Sequence, residues 1–326
     1  MPNDSPIAPS ADLPVTVVVA SRDRPHLLRE SLAAVERTLR PIDSMVVVDS
    51  ASRDADAIAR ITAETSGSLI RCNRPGTSRA RNAGWRAAST QLIAFTDDDC
   101  LPCEGWIEAI VKAFDQSPPP DIVTGRVLPD AGSNGRVQIA LSVITTDEAA
   151  TFIDGDDVTM MGHGANMAWR RSALENIGGF DEALGPGAMF GAGSEDADAF
   201  LRALHAGGLG RFDPRAVVVH RQWRGRLDQL RSCFGYGVGL GALSVKTRRL
   251  QDPPEDENTD LAGRLAVGRL MIGLVWRHGV VEVGRNLAHG YQMGVLVEFA
   301  MLAGALRGVL KTHRLQLERG HFVIRE

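Results

Sequence analysis

The sequence predicts an α/β fold in which a mixed, mainly parallel sheet is flanked by helices and followed by a C-terminal helical extension. Short continuous apolar runs such as Val15–Ala20 and Met45–Val48 are typical of strands buried on both faces. Helical patterns alternate with such runs over about the first 130 residues, which favours parallel βαβ units. Polar residues follow the strand ends, where open parallel sheets bind ligands.

Each element follows from its local pattern. After the first strand, Pro25 suits the first turn of a helix whose leucines recur at helical spacing. By the same criteria we predict further strands at 45–49, 69–72, 91–96, 122–127 and 217–219, and further helices at 54–65, 77–88, 106–114, 171–177 and 195–206. Two apolar stretches near 262–284 and 288–311 read as helices, but neither offers the roughly 20 apolar residues of a membrane span.

The composition is that of a globular protein with an uneven charge distribution. The chain has 326 residues, 44% of them hydrophobic and 23% charged, and its net charge of −4 does not suggest a nucleic-acid partner. Residues 1–260 carry a net charge of −9, whereas residues 261–326 carry +5. A basic, apolar C-terminal segment suits an anionic membrane surface or a protein partner.

The cysteines and the N-terminus indicate a cytoplasmic protein. The four cysteines form no convincing disulfide framework or zinc set, because the Cys100–Cys103 pair has no second pair to accompany it. Residues 1–12 hold acids and prolines, without the cationic start and apolar core of a signal peptide. We therefore expect a reducing cytoplasm, with peripheral contact to the inner face of the membrane left open.

Three consecutive carboxylates, Asp97, Asp98 and Asp99, end the apolar strand predicted at 91–96. Their mutual repulsion and desolvation must be offset by a cation or by hydrogen-bond donors. Hard carboxylate oxygens suit Mg²⁺ or Mn²⁺, and such sites often share the ion with substrate phosphates. Taken alone, a solvated acidic turn is an equally good interpretation.

Several short motifs give this acidic strand end a context. They are Val48-Asp-Ser-Ala-Ser52, Gly76–Gly84 with its Ser-Arg-Ala-Arg-Asn core, Asp97–Asp99, Gly178-Gly-Phe-Asp-Glu182, Gly193-Ser-Glu-Asp196 and a strand ending in His220. In this order the set resembles the family 2 glycosyltransferases, which are inverting enzymes with the GT-A fold. The resemblance covers residues 14 to about 245.

The resemblance implies a nucleotide-sugar donor, usually a UDP-sugar, held together with Mg²⁺ or Mn²⁺. It places Asp99 and His220 at the metal. Donor contacts are implied for Ala20, Ser21, Arg22, Asp49, Arg79, Arg81, Asp97, Asp98 and Asn166. Ser50 stands where the family usually has a second acid that reads the base, so the identity of the base stays open.

The resemblance assigns catalysis to the Glu195–Asp196 pair. Asp196 matches the general base that takes the proton of an acceptor hydroxyl, in a single displacement that inverts the anomeric carbon. Glu195 is assigned to the helix start or to orienting the acceptor. In isolation both acids would read as ordinary residues of a helix N-terminus.

The implied organisation has four parts. These are a flexible tail at 1–12, a nucleotide-sugar-binding half at 13–128, an acceptor-binding and catalytic half at 129–225, and a helical region at 226–326. For 261–312, contact with a membrane, a homodimer interface and a simple helical cap all remain compatible with the pattern.

Two other functions remain as alternatives. A nucleotidyltransferase would usually carry a Gly-rich loop after the first strand, and the turn Ser21–Pro25 has no glycine. A nucleotide-sugar-binding scaffold with a degenerate transferase fold is the other alternative. The sequence names neither the sugar, the acceptor nor the pathway.

Overall fold

The structure is a computed structural model that describes most of the chain. The described residues are 13–130, 142–189, 193–221, 224–251, 272–273, 281–288, 292–313 and 315–324. The predicted tail at 1–12, most of the helical stretch predicted at 262–284 and the beginning of the one at 288–311 lie outside these ranges.

Two compact units make up the described chain. The first contains 13–75, 79–180 and 199–221, and the second contains 76–78, 181–198 and the described residues from 224 onward. The four-part organisation predicted from the sequence stays a prediction.

The first unit is built on one mixed sheet. In chain order its strands are β1 (Val15–Ser21), β2 (Ser44–Ser50), β3 (Ser68–Cys72), β4 (Leu92–Asp97), β5 (Cys100–Pro102), β6 (Ile122–Pro129), β7 (Ala150–Phe152), β8 (Asn166–Arg170) and β9 (Gly210–His220). Their order in the sheet is β3-β2-β1-β4-β8-β6-β9-β5, and β7 pairs with β9. Parallel pairing joins β3, β2, β1 and β4, as the apolar runs predict, and also joins β6 to β9.

Both units contain helices. They are α1 (Pro25–Glu36), α2 (Ala55–Thr62), α3 (Thr77–Ala87), α4 (Trp106–Phe114), α5 (Arg171–Asn176), α6 (Glu195–His205), α7 (Arg226–Gln251), α8 (Val283–Ala288) and α9 (Gln292–Thr312). A short hairpin of β10 (Leu317–Glu318) and β11 (His321–Phe322) follows. The mixed sheet with flanking and C-terminal helices confirms the predicted fold class.

The antiparallel part of the sheet differs from the sequence prediction. We predicted no strand directly before the helix at 171–177, but β8 lies there, antiparallel between β4 and β6. We expected a strand at 217–219, but β9 begins at Gly210. The prediction was too short because charged residues interrupt the apolar pattern of the first half of β9. The ladder shifts register between Gly125 and Arg126, where β9 accommodates extra residues including Pro214.

Apolar burial holds the elements that carry the strand ends in place. Leu28, Leu32 and Val35 of α1 are completely buried in one core cluster with Val17 and Val19 of β1. Burying one such side chain contributes about 1.5–3 kcal/mol, so a single helix face fixes α1 against the sheet. The turn between β1 and α1 is therefore held rigidly at both ends.

The second unit packs α7 against α9 through glycines. A Cβ added at Gly237 or Gly241 would lie 2.1 Å from a carbonyl oxygen of α9, and one added at Gly304 or Gly308 would lie 2.1 Å from a carbonyl oxygen of α7. Only glycine lets two helix backbones approach this closely. No helix in the described part of the chain combines the length and the apolar character needed to cross a bilayer.

We predict that Gly84→Ala destabilises the protein by about 1–3 kcal/mol, because the added methyl group overpacks the junction of α3 with the sheet. A Cβ at Gly84 would lie 2.3 Å from a methyl carbon of Val18 and 3.2 Å from one of Val48. Urea denaturation measures the effect. Gly284→Ala is the matched control in α8, since nothing lies within 4 Å of its added Cβ. The control should be as stable as wild type or slightly more stable. If Gly84→Ala is as stable as wild type, the prediction of overpacking is wrong.

Candidate active site

The three carboxylates predicted from the sequence lie at the carboxyl end of β4, between β1 and β8. Their exposure differs. The side chain of Asp97 is 32% exposed, whereas those of Asp98 and Asp99 are 0% and 3% exposed. Buried carboxylates require partners that replace water, and the surrounding residues supply them.

Arg24 is the main counter-ion of the two buried carboxylates. It is the N-cap residue of α1, directly after the turn that leaves β1. Its guanidinium lies 2.7 Å from Asp98 Oδ1 and 3.0 Å from Asp99 Oδ2. Ser21 Oγ donates a hydrogen bond of 2.7 Å to the other oxygen of Asp98. Both oxygens of Asp98 therefore contact groups at the β1–α1 turn. The predicted contact of Asp98 with a nucleotide sugar stays a prediction.

At Asp98 and Arg24, burial is the largest influence on the pKa and neighbouring charges are the next. Burial raises the pKa of Asp98 to about 7, although the nearby Arg24 opposes the shift. Burial also works against the charge of Arg24, but attraction by Asp98 and Asp99 outweighs it and raises the pKa of the guanidinium. The turn thus holds a permanent cation against the acidic strand end.

Asp99 faces His220 on its other side. His220 Nε2 lies 3.5 Å from Asp99 Oδ1, and both side chains are buried. Cys100 pairs directly with His220 across the β5–β9 ladder, and among the described residues the ligand atoms of Asp99, Cys100 and His220 lie within 4.8 Å of one another. Burial raises the pKa of the Cys100 thiol well above its ordinary value. The two residues predicted for a metal are thus brought together, with a thiol beside them.

Arg81 of α3 holds Asp97. Its guanidinium lies 3.1 Å from Asp97 Oδ1 and 5.8 Å from the centre of the Phe180 ring. The Gly164 backbone covers it so closely that an added Cβ would lie 2.6 Å from the guanidinium. Arg81 is 3% exposed, so its position is fixed by packing on both sides.

Asp49, at the end of β2, is bound by Arg71 at the end of the neighbouring β3. Asp49 Oδ1 also accepts a hydrogen bond of 2.8 Å from the backbone of Ser52, and Arg71 donates to the Ser52 carbonyl at 3.2 Å. Arg71 is 45% exposed, so the pair places a partly accessible cation on β3, with β2 between it and β1. Ser50, the next residue of β2, is buried.

Other predicted donor residues have mainly local contacts. Ala20 is half-buried at the end of β1, and Arg22 has a side chain that is 46% exposed and 3.9 Å from Asp23. Arg79 donates a hydrogen bond of 3.0 Å to the Pro75 carbonyl. Donor contact stays a prediction for these three residues.

Asn166 has a structural environment. Its Oδ1 accepts a hydrogen bond of 2.8 Å from the indole of Trp106, and its Nδ2 donates to the carbonyls of Arg126 and Ala216 at 2.8 and 2.9 Å. Both carbonyls lie at the register shift of the β6–β9 ladder. These bonds engage the whole amide, so we interpret Asn166 as the residue that fixes this irregularity, and its donor contact stays untested.

In the second unit, Glu195 and Asp196 begin α6. Ser194, directly before them, has a φ of +64°, a left-handed conformation that non-glycine residues rarely adopt. Glu195 is 6% exposed and packs close to Gly185, whereas Asp196 is only half-buried and accepts a hydrogen bond of 2.8 Å from the Ala197 amide. Of the two acids, Asp196 is the more accessible to solvent.

The sequence did not identify three cations, Arg24, Arg71 and, in the second unit, Lys246. Arg24 lies in a turn that we did interpret as part of the site, and its position directly before Pro25 marks a helix N-cap. Nothing in the sequence near Arg71 or Lys246 indicates which acids they meet, because those contacts depend on strand order and helix packing.

Comparison with known proteins yields a family, curated relatives and solved structures. The family model described as Glycosyl transferase family 2 matches residues 16–178. A pre-mycofactocin glycosyltransferase of Mycobacterium tuberculosis is 26% identical over 236 residues, which are 71% of this chain and 48% of that protein. A glucosyl-dolichyl phosphate glucuronosyltransferase of Haloferax volcanii is 25% identical over 183 residues, or 52% of this chain and 56% of that protein. The chain thus spans about half the length of these relatives.

Solved structures share the fold. The mannosyltransferase PcManGT of Pyrobaculum calidifontis, in complex with GDP-Man and Mn²⁺, matches with a TM-score of 0.55 and 18% identity over 91% of this chain and 87% of that one. Residues 1–349 of S. aureus TarS, in complex with UDP-GlcNAc, match with a TM-score of 0.52 and 14% identity over 96% and 97% of the two chains. These likenesses confirm the predicted GT-A architecture.

We predict that the carboxyl group of Asp98 makes the stability of the metal-free protein fall as pH rises. Its pKa is about 7 when folded and about 3.8 in the unfolded chain, so between these values the folded state binds the extra proton. The contribution is fully present below about pH 3.8 and is lost as pH rises through about 7. Asp98→Asn removes it.

Urea denaturation in the presence of a chelator, at about pH 5 to 8, tests this prediction for wild type and Asp98→Asn. Relative to the variant, the wild type should lose stability with increasing pH. Asp56→Asn, which changes an exposed carboxylate on α2, is the control and should follow the wild type. A stability difference between wild type and Asp98→Asn that stays constant with pH would contradict the prediction.

Proposed function

The chain belongs to glycosyl transferase family 2, and from that membership we propose that it transfers a sugar from a nucleotide-sugar donor, UDP-linked, to a hydroxyl acceptor with inversion of the anomeric carbon. The relatives with curated names are glycosyltransferases, and solved structures of the same fold were determined with UDP, UDP-GlcNAc or GDP-Man. These findings support a nucleotide sugar as the class of donor. The choice of uridine as its nucleoside is proposed on the resemblance alone.

The observation that carries the proposal is the acidic strand end with its two cations. Arg24 binds Asp98 and Asp99, and Arg81 binds Asp97, while the buried Asp99 also faces the buried His220. A carboxylate with an imidazole is a donor set that Mn²⁺ accepts readily and Mg²⁺ less so. We propose that Asp99 and His220 hold such an ion. When bound, it supplies a Lewis acid that stabilises the negative charge on the departing diphosphate.

The protein's own groups do the remaining work in this proposal. Asp49 and the partly exposed Arg71 are proposed to bind the base and ribose at the ends of β2 and β3. Arg81 keeps Asp97 oriented toward the ribose or the sugar. Because Arg81 is fixed by packing and holds Asp97 through their ion pair, the donor meets an arrangement that needs little reorganisation.

Asp196 is proposed as the general base. It takes the proton of the acceptor hydroxyl while that oxygen forms its bond to the anomeric carbon, and the bond to the diphosphate breaks with its electrons leaving on the nucleotide. Its partial exposure and its place at a helix N-terminus support this assignment, because the helix dipole stabilises a carboxylate there. Glu195, more deeply buried, is proposed to orient the helix start.

The outer face of α9 supports a proposed peripheral contact with an anionic membrane. Leu296, Phe299 and Leu310 are between 52% and 58% exposed, and their spacing in the sequence places them on one side of the helix. Arg307 and Lys311 are exposed beside them. An apolar stripe flanked by cations is the pattern of a helix that lies in a lipid interface.

We predict that Asp196→Asn binds the donor as wild type does, within about twofold, but loses transfer by about 10²–10⁴-fold, the usual contribution of a general base. The assay is turnover of a panel of UDP-, GDP- and TDP-sugars with Mn²⁺, with water as the acceptor until a better one is found. Asp228→Asn, an exposed acid on α7, is the matched control and should keep full turnover. Unchanged turnover of Asp196→Asn would reject this residue as the base.

We predict that the double variant Leu296→Gln and Phe299→Gln binds vesicles containing anionic lipid at least about tenfold more weakly, since the two substitutions together remove roughly 2 kcal/mol of apolar transfer energy. Co-sedimentation measures binding. Ile42→Gln, an exposed apolar residue of the first unit, is the control and should bind as wild type does. If wild type does not co-sediment with vesicles, and is a dimer where the double variant is a monomer, this face of α9 is a dimer interface and the membrane proposal is wrong.

A further inference from the structure

A completely buried lysine lies at the centre of the second unit. Lys246 of α7 is 0% exposed, and its Nζ lies 2.5 Å from Asp181 Oδ2 and 2.6 Å from Asp198 Oδ1. The ammonium group also lies 4.6 Å from the centre of the Phe322 ring. An ammonium group without water must be paired and hydrogen-bonded to keep its charge, and these three contacts meet that requirement.

The cluster joins four separate segments of the second unit. Asp181 follows the Gly178–Phe180 turn, Asp198 lies in the first turn of α6, and Lys246 lies in α7. Asp181 also accepts hydrogen bonds of 2.9 Å from the backbone amides of Ala183 and Phe322. Replacing a buried ion cluster by apolar groups is often neutral or stabilising, so its presence here suggests a role in arrangement more than in stability.

The link between Lys246 and Asp198 acts on the helix start that carries Asp196. Asp198 follows Asp196 in the same turn, and its backbone amide donates a hydrogen bond of 3.0 Å to the carbonyl of Ser194. Moving the Asp198 side chain would therefore move the turn that aims Asp196. Ser194 has the strained φ of +64°, which persists only where surrounding contacts hold it.

A second contact from α7 holds the same helix start. The amide of Gly193 donates a hydrogen bond of 3.2 Å to the carbonyl of Gly235, and a Cβ added at Gly239 would lie 2.2 Å from the carbonyl oxygen of Gly193. The ring of Tyr236 lies close over Gly193. Thus α7 touches the entry to α6 with its backbone and, about two turns later, contacts the first turn of α6 with Lys246.

We propose that Lys246 is a positioning residue for the reaction: through Asp198, and together with the glycine contacts of α7, it holds the Ser194–Asp196 segment in the conformation that aims the carboxylate of Asp196. This inference rests on the proposed role of Asp196 as the base. It makes α7 a part of the catalytic unit, because the sequence that begins α6 cannot hold its strained entry without that helix.

The test compares Asp198→Asn with the double variant Lys246→Met and Asp198→Asn. In the single variant the new amide keeps an oxygen that can accept a hydrogen bond from Lys246, so the link is retained. The double variant loses it, yet it keeps the net charge of the buried cluster unchanged, since it removes one cation and one anion. Thr247→Val, the next residue of α7, bonds only to the Leu243 carbonyl among its described hydrogen bonds and serves as the matched control.

Two measurements decide the proposal. In the double variant we expect kcat to fall by at least about tenfold while the donor KM stays within about twofold, since ground-state binding of the donor is untouched. Amide hydrogen exchange at 193–199 should become faster, with exchange elsewhere in the first unit unchanged. Asp198→Asn and Thr247→Val should resemble wild type in both measurements.

The opposite results would overturn it. Wild-type exchange at 193–199 and wild-type kcat in the double variant would show that Lys246 does not position the segment. Faster exchange throughout both units would assign Lys246 a general stabilising role and also reject the proposal. If wild type turns over no donor at all, the proposed function fails, but exchange at 193–199 still decides whether Lys246 holds that segment.

Discussion

The structure depends above all on the burial of negative charge at the carboxyl end of β4. Three adjacent carboxylates end a central strand, and two of them are almost completely removed from water. Arg24 and His220 approach the two buried carboxylates, and Arg81 binds Asp97, so partners come from three different elements. The β1–α1 turn, α3 and β9 are thereby tied to one point, which is also the point where a diphosphate and its ion are proposed to bind.

The same solution recurs with the opposite sign in the second unit. There a lysine is buried and carboxylates from two other segments approach it. In both places a charge that is costly to bury is compensated by partners from distant parts of the chain, so the arrangement forms only when the packing is correct. We interpret both clusters as devices that fix the direction of nearby side chains, Asp99 in one unit and Asp196 in the other.

Much of this could be predicted from the sequence, because the informative features were local. Continuous β-branched runs identified β1 and β2, and acids directly after a strand identified the site at β4. The prediction was incomplete where non-local pairing decides. The antiparallel β8 has no pattern of its own that distinguishes it from a loop, and the partners of Arg24, Arg71 and Lys246 follow from strand order and helix contacts. A motif predicted that Asn166 contacts the nucleotide sugar, whereas the described hydrogen bonds of its Nδ2 go to carbonyls of the β6–β9 ladder.

The most direct test of the account is calorimetric donor binding by wild type and Asp99→Ala, with and without Mn²⁺, using UDP and GDP sugars. The account predicts that wild type binds one donor tightly only when the ion is present. It predicts that Asp99→Ala remains folded but binds both the ion and the donor much more weakly than wild type does. Donor binding by wild type that does not depend on the ion, or that survives unchanged in Asp99→Ala, would contradict the proposed role of the acidic strand end.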